Sequence, residues 1–560
     1  MGESVSFSVE GIKTYCIMIT TLSFKNYKAF LEGSLEFKPL TFLVGANSVG
    51  KSSLIQLLLM LQQTAVEASD NDRTAFKLNG KNISLGENIN IIRNKDKHNQ
   101  LSLSFILDAD SAISMMSGIK AVFFHSLERL FVYSGVTFYS LDDKKRNGWE
   151  NNRELFVEML SNAKNGSSVL FRRFINQKVL SESYEDILMS YDYIRTINKY
   201  IADRSECQLT LSFKYSDKKI ENGIVVTSIE IKIGEHEKLR LEFPDESNKK
   251  SYSICSDILK GKVSPLLQKY NNQLFTLFGK NGGNLFKVFR GITIDYEFFD
   301  YNNQNFSFLL WSLLLFLHHS LWKLEDAFGE QCINYVSPLR AYPKRYYFLD
   351  RSHVSSSLDT LDGDSITELL KQNPELKYRV NSWLKHFNLE INVEALEEII
   401  HKLKVHQNGL NLDITDVGFG ISQVLPVIVQ GFFAKAKSLT VIEQPEVHLH
   451  PKMQADLGDL FIDIALPETK GGKTKRKYSK SLLIETHSEY LLKRIRRRIA
   501  TGEIDSSEVA IYLVESSKET EGSIITRVDI AKNGNFEWPE EFYGGELLLD
   551  TVEFLKAQTK

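Results

Sequence analysis

The octapeptide Gly45-Ala46-Asn47-Ser48-Val49-Gly50-Lys51-Ser52 has the residue types needed to hold a triphosphate. Gly45 and Gly50 let the backbone wrap closely, so that successive N–H groups face phosphate oxygens. Lys51 would neutralise the β- and γ-phosphates, and Ser52 would place a hydroxyl on Mg2+. Ser53 completes the candidate cofactor-binding set, and a helix starting here would add its positive end. Far along the chain, Leu439 to Glu446 reads L-T-V-I-E-Q-P-E, an apolar strand ending in carboxylates. Such a strand delivers an acid to a metal beside a phosphate loop, which makes Glu443 the second metal candidate after Ser52. His487, in I-E-T-H-S-E at the end of another apolar strand, could contact a γ-phosphate, although a lone histidine at a strand end is more often structural. ATP with Mg2+ is the cofactor pair these residues call for.

The elements that must position them can be read from the same chain. Residues 18–44 alternate apolar and polar in short runs broken by Gly33 and Pro39, which predicts a hairpin feeding one more strand, T-F-L-V. LIQLLLMLQQTAVEA after the loop predicts a helix. From Asn334 strands and helices alternate again, including the strands SLTVIEQPE and SLLIETHSE and the helices PKMQADLGDLFIDIA and YLLKRIRRRIA. Alternation around a phosphate loop points to an α/β sheet. The expected organisation is a nucleotide-binding head built from residues 1–110 and 331–560, with residues 111–330 a large inserted mixed domain standing off it.

The 560 residues carry 42% hydrophobic and 25% charged side chains and a net charge of −3, which excludes a disordered chain, a collagen and a coiled-coil rod. The length predicts two or three structural units. Four cysteines far apart, with no C-x-x-C spacing, point to a reduced cytoplasmic protein. The start lacks a secretory pattern. Residues 306–322 are the most membrane-like stretch, yet their apolar run is short and ends at His318 and His319. A bilayer needs about 20 apolar residues, so a buried helix is expected and no membrane partner.

The order phosphate loop, G-F-G-I-S-Q, E-Q-P-E, T-H-S resembles the ABC-type ATPase heads of the SMC and OLD group, in the branch called AAA-15. More narrowly, PLRAYPKRYY, GFGISQVLP, IEQPEVHLHP, THSEYLL and GNFEWPEEF look like ATPases with the C-terminal region DUF3696, here residues 530–560. The resemblance covers about the first 110 and the last 230 residues. It implies an ABC-type P-loop head. It also implies a signature segment, Gly418 to Gln423, whose Gly420, Ser422 and Gln423 complete the ATP site of a second subunit in a head-to-tail homodimer. His448 to Pro451 would fall at the dimer contact, and His487 would be the γ-phosphate switch. Two positions depart from the pattern. Glu443-Gln444 stands where such heads carry Asp-Glu, so Gln444 can orient water but cannot accept its proton, which implies slow or partner-gated hydrolysis. F-G-I-S-Q replaces L-S-G-G-Q, displacing the serine.

The resemblance further implies prokaryotic anti-phage defence. The head looks like the PtuA-type ATPases of Septu and retron operons, which work beside a separate HNH nuclease. The 73 residues after His487 form no acidic metal-binding constellation, so no nuclease is expected in this chain. A non-hydrolysing ATP-bound scaffold, or an ATPase acting directly on nucleic acid, are the alternatives. Residues 468–498 hold eleven basic and three acidic side chains, a net +8. Lys475, Arg476 and Lys477 lie in its loop. Lys493/Arg497 and Arg494/Arg498 sit four apart on the following helix and share a face. Nucleic acid, an acidic partner or plain solvent would all suit that surface. Arg340, Lys344 and Arg345 form a second basic group, read as a packed turn or a contact to nucleotide or partner.

Overall fold

The computed structural model describes residues 19–69, 72, 74–133, 150–165, 177–217, 223–244, 252–265, 267–268, 274, 283–289, 307–348, 364–467, 480–519, 521–536 and 555–558. Its framework is one sheet of thirteen strands. In chain order the strands are β1 (Ile19–Tyr27), β2 (Phe30–Glu36), β3 (Leu40–Val44), β4 (Leu101–Leu107), β5 (Cys207–Ser216), β6 (Gly223–Ile233), β7 (Glu237–Glu242), β8 (Ser253–Cys255) and β9 (Ile333–Val336). A smaller sheet takes β10 (Tyr347–Phe348), β11 (Leu389–Ala395), β12 (Ile400–Gln407) and β13 (Leu410–Asp413). The chain then returns to the large sheet with β14 (Leu439–Glu443), β15 (Ser481–Glu485), β16 (Val509–Ser517) and β17 (Gly522–Val528). Across the large sheet the order is β8-β7-β6-β5-β4-β1-β2-β17-β16-β3-β15-β14-β9.

Its two halves differ in kind. From β8 to β2 every pairing is antiparallel, whereas β16, β3, β15, β14 and β9 run parallel. The halves meet at β17 and β2, where the ladder records one register pair, Ser523↔Phe30. Side chains supplement it: Arg527 pairs with Glu36, and the Glu36 N–H donates to the Tyr512 hydroxyl at 2.8 Å.

The parallel strands are buried on both faces, which explains their unbroken apolar sequences. Along β3, Leu43 enters one hydrophobic core while Leu40, Phe42 and Val44 enter the other. Val441 and Ile442 of β14 divide likewise, as do Leu483 and its neighbours Leu482 and Ile484 of β15. The first core takes helices α1 (Lys51–Val66), α2 (Ala109–Tyr133), α3 (Arg153–Asn165), α4 (Gln177–Ala202) and α5 (Phe308–Ala327). The second takes α6 (Asp364–Gln372), α7 (Pro374–Leu384), α8 (Phe419–Phe433), α9 (Pro451–Ala465) and α10 (Glu489–Ala500).

The α/β class and the mixed inserted middle segment are both present. That segment does not stand apart from the head, however. Leu101 to Leu107 of β4 pair with Phe213 to Cys207 of β5, so β5–β8 prolong the antiparallel half of the same sheet. The reason is edge pairing: the alternating apolar residues of β4 leave an edge that β5 covers, continuing one buried face. Helix α5 takes residues 308–322 of the apolar run. Leu309, Leu313, Phe316 and Leu317 are fully buried in it, and no helix among the described residues is long and apolar enough to cross a membrane.

Candidate functional site

The phosphate loop joins the C-terminal end of β3 to α1, and its glycines have steric reasons. Gly45 has φ 142°, and a Cβ there would lie 2.1 Å from the Val514 carbonyl oxygen on β16. Gly50 has φ 107° as the N-cap of α1, and a Cβ there would meet the Phe30 ring at 2.9 Å. L-residues other than Gly rarely adopt such φ values, and neither site has room for a side chain. Ala46, Asn47 and Ser48 are exposed, Val49, Gly50 and Ser53 half-buried, and Ser52 exposed at the first turn of α1.

Lys51 is 4% exposed and folds back into the loop, its Nζ donating to the carbonyls of Gly45 at 3.0 Å and Ala46 at 2.6 Å. Burial pushes its pKa down, and the Glu485 carboxylate, 3.9 Å away, opposes that. Glu485 ends β15, between β3 and β14, and in the parallel register it stands beside Glu443. Two carboxylates separated by 42 positions in the chain therefore lie side by side at the strand ends, with the Lys51 ammonium 3.9 Å from Glu485. Burial, then the Glu443 charge, pushes Glu485 up to about 7, and its Oε2 is buried without a hydrogen-bond partner among the described residues. Burial also raises Glu443, whose Oε1 accepts from the Tyr335 hydroxyl at 2.7 Å. This is a site short of positive charge.

That deficit is the fit test for a divalent cation. Among the described residues no group of three or more His, Cys, Asp or Glu side chains is arranged to hold a metal alone. Magnesium typically takes one or two carboxylates, a hydroxyl and phosphate oxygens. Ser52, Glu443 and the under-partnered Glu485 are the side chains that fit it. Sequence reasoning missed Glu485. The available signal was the parallel of two apolar strands, L-T-V-I-E and S-L-L-I-E, each ending in glutamate.

Gln444 follows Glu443 with φ 44°, its N–H donating to the Glu485 carbonyl at 2.8 Å. Glu446 accepts from the Thr486 hydroxyl at 2.8 Å and the His487 N–H at 2.6 Å, so both its oxygens tie the β14 and β15 loops together. Burial and nearby Lys51 push His487 down, keeping its ring neutral, and its Nε2 is buried without a partner among the described residues.

The signature segment opens α8, with Gly418 as N-cap. A Cβ on Gly420 would lie 3.0 Å from the His448 carbonyl oxygen, so this turn packs against the 448–451 loop. Ser422 and Gln423 are 7% and 3% exposed, pointing away from solvent in the single chain. His448 is exposed with φ 62°, and Gln454 of α9 bridges this loop to Ser488, the N-cap of α10.

On α10 the basic residues divide. Arg494 pairs with Asp456 at 3.0 Å and with Asp459, and Arg498 chelates Asp459 at 2.7 and 2.9 Å while also pairing with Glu503 at 2.5 Å. These four-apart arginines fasten α10 to α9. Lys493 and Arg497 are exposed, Lys493 pairing with Glu489. Lys475, Arg476 and Lys477 lie outside the described residues, as does most of the 530–560 tail.

A P-loop at the end of a parallel strand, with paired carboxylates on the next two strands to one side, defines a nucleotide-binding α/β ATPase site. The family profile for AAA_15, an AAA ATPase domain, matches residues 18–492, and the chain belongs to that family. Solved structures with related chain traces include the SMC head domain from Thermotoga maritima, with 7% identity, TM-score 0.32, and 92% of this chain and 100% of that chain covered. An Smc head bound to the C-terminal winged-helix domain of ScpA has 8% identity and TM-score 0.33, with 92% and 98% covered. An Smc head with coiled coil and joint derived from Pyrococcus yayanosii has 8% identity and TM-score 0.30, with 92% and 97% covered. No curated protein matches the sequence.

Proposed function

We propose that the chain is a cytoplasmic ABC-type, SMC-like ATPase that hydrolyses ATP slowly, works as a homodimer, and passes its nucleotide state to a partner. The observation that carries this is that Lys51 lies 3.9 Å from Glu485, whose register neighbour is Glu443, so that three segments far apart in sequence meet beside one phosphate loop. In this reading the loop N–H groups and Lys51 bind the triphosphate, while Ser52, Glu443 and Glu485 hold Mg2+ with it. When bound, that ion supplies charge neutralisation at the β- and γ-phosphate oxygens. Gln444 orients the attacking water, and the neutral His487 offers Nε2 towards the γ-phosphate. Glu446, whose oxygens each accept one bond, from the Thr486 hydroxyl and the His487 N–H, is the less favoured substitute base.

Gly420, Ser422 and Gln423 would meet the nucleotide of the second copy, with His448–Pro451 at the contact. The resemblance to PtuA-type ATPases extends the reading to anti-phage defence with a separate HNH nuclease as partner. The exposed Lys493 and Arg497 offer a nucleic-acid or acidic contact. Steady-state phosphate release tests the core of this. Lys51→Ala should lower it at least about 100-fold, with ATP binding lost. Gln444 favours a second reading, a scaffold that keeps ATP unhydrolysed. Equal background rates for wild type and Lys51→Ala, with wild-type ATP binding intact, would establish the scaffold instead.

A further inference from the structure

Arg340 belongs to the P-L-R-A-Y-P turn after β9. Its side chain is 5% exposed, inside the wall behind the β14 turn. Nη2 donates to the Glu443 carbonyl at 2.8 Å and to the Gln444 carbonyl at 3.3 Å. Gripping two successive carbonyls fixes the orientation of the peptide that joins them. From the other side, the Gln444 N–H is held by the Glu485 carbonyl. Gln444 is thereby pinned at φ 44°, a conformation that a glutamine adopts only when its surroundings impose it. Burial of this guanidinium is costly: its pKa is pushed down to about 10, and Nε and Nη1 are buried without partners among the described residues. Lysine, one atom shorter, would not carry its ammonium to the position of Nη2, from which both bonds are donated.

We propose that Arg340 is the positioning residue for Gln444: it locks the 443–444 peptide so that the Gln444 amide is aimed at the attacking water. The inference rests on the hydrolytic reading above and deepens it. Arg340 touches neither water nor nucleotide in this role. It acts through the backbone, so it should govern turnover and leave ATP affinity alone.

A double-mutant cycle with Arg340→Met and Gln444→Ala tests this, with Lys51→Ala alongside. Arg340→Met should lower kcat about tenfold to a hundredfold with KM within twofold, and should cost nothing further in the Gln444→Ala background. Arg340→Lys should recover only part of the loss. Additive losses, or a loss confined to KM, would overturn the proposal while leaving the ATPase reading in place. Wild-type turnover no greater than that of Lys51→Ala would instead defeat the ATPase reading. A crystal structure of Arg340→Met serves as a readout independent of activity: Gln444 should leave positive φ while β14 and β15 stay paired. Gln444 unmoved there, or an Arg340→Met chain unfolded while Arg340→Lys is folded with full turnover, would show that the side chain is only packing.

Discussion

Lys51 has its ammonium on the Gly45 and Ala46 carbonyls and near Glu485, contacts that phosphate oxygens would have to replace. The loop backbone has to keep its shape throughout. Gly45→Ala places a methyl group 2.1 Å from the Val514 oxygen at φ 142°, so β3 and β16 must part or the loop must rebuild. The expected outcome is loss of at least about tenfold in ATP affinity by equilibrium titration, with a destabilisation of about 1–3 kcal/mol in urea unfolding. Sequence alone singled out Gly45 to Ser53, Glu443, Gln444 and His487 as candidates, because motif spacing encodes a local loop and the ends of apolar strands. It missed Glu485 and left Arg340 undecided. Their roles exist only through lateral register, β15 beside β14, and through a buried turn reaching another strand's carbonyls. Neither relation has a fixed spacing along the chain.

Helix α5 shows what an apolar run becomes when a protein core encloses it. His318 and His319 lie within it, and burial pushes each down to about 4. The neutral rings are favoured in the folded chain, so stability is fully present above about pH 6.5 and is lost as pH falls towards 4. The loss should reach about 3 kcal/mol per histidine below pH 4. Urea midpoints measured from pH 7 to 4 should fall steeply for the wild type and less so for the double variant His318→Leu, His319→Leu. On α10, charge alone had not separated fastening arginines from free ones, since the Asp456 and Asp459 partners sit on α9. Asp459→Asn should lower stability by about 1 kcal/mol in thermal unfolding, the pairs being partly solvated. Lys493→Glu with Arg497→Glu should leave the unfolding temperature unchanged and weaken salt-dependent nucleic-acid binding in filter assays. Unaltered binding would assign that surface to solvent.

The whole sheet was legible as α/β from its phosphate loop and alternating segments, but its extent was not. Period-two runs such as Gln208 to Phe213 announce strands without naming neighbours, and whether β5 joins β4 depends on a buried edge that sequence cannot show. Nor could it show how thinly the two halves are stitched together. Where most neighbouring strands share a run of rungs, β2 and β17 share Ser523 and Phe30, with the Arg527–Glu36 and Tyr512 links as splints. Phe30 is also the ring lying under Gly50. A sideways slip along this seam would therefore tug directly on the floor of the phosphate loop. Deuterium should reach the Ser523 amide at least about tenfold sooner than the amides of Leu43 or Ile484, and bound ATP should slow it; equal protection across all three would mean the seam is as rigid as the strands it joins.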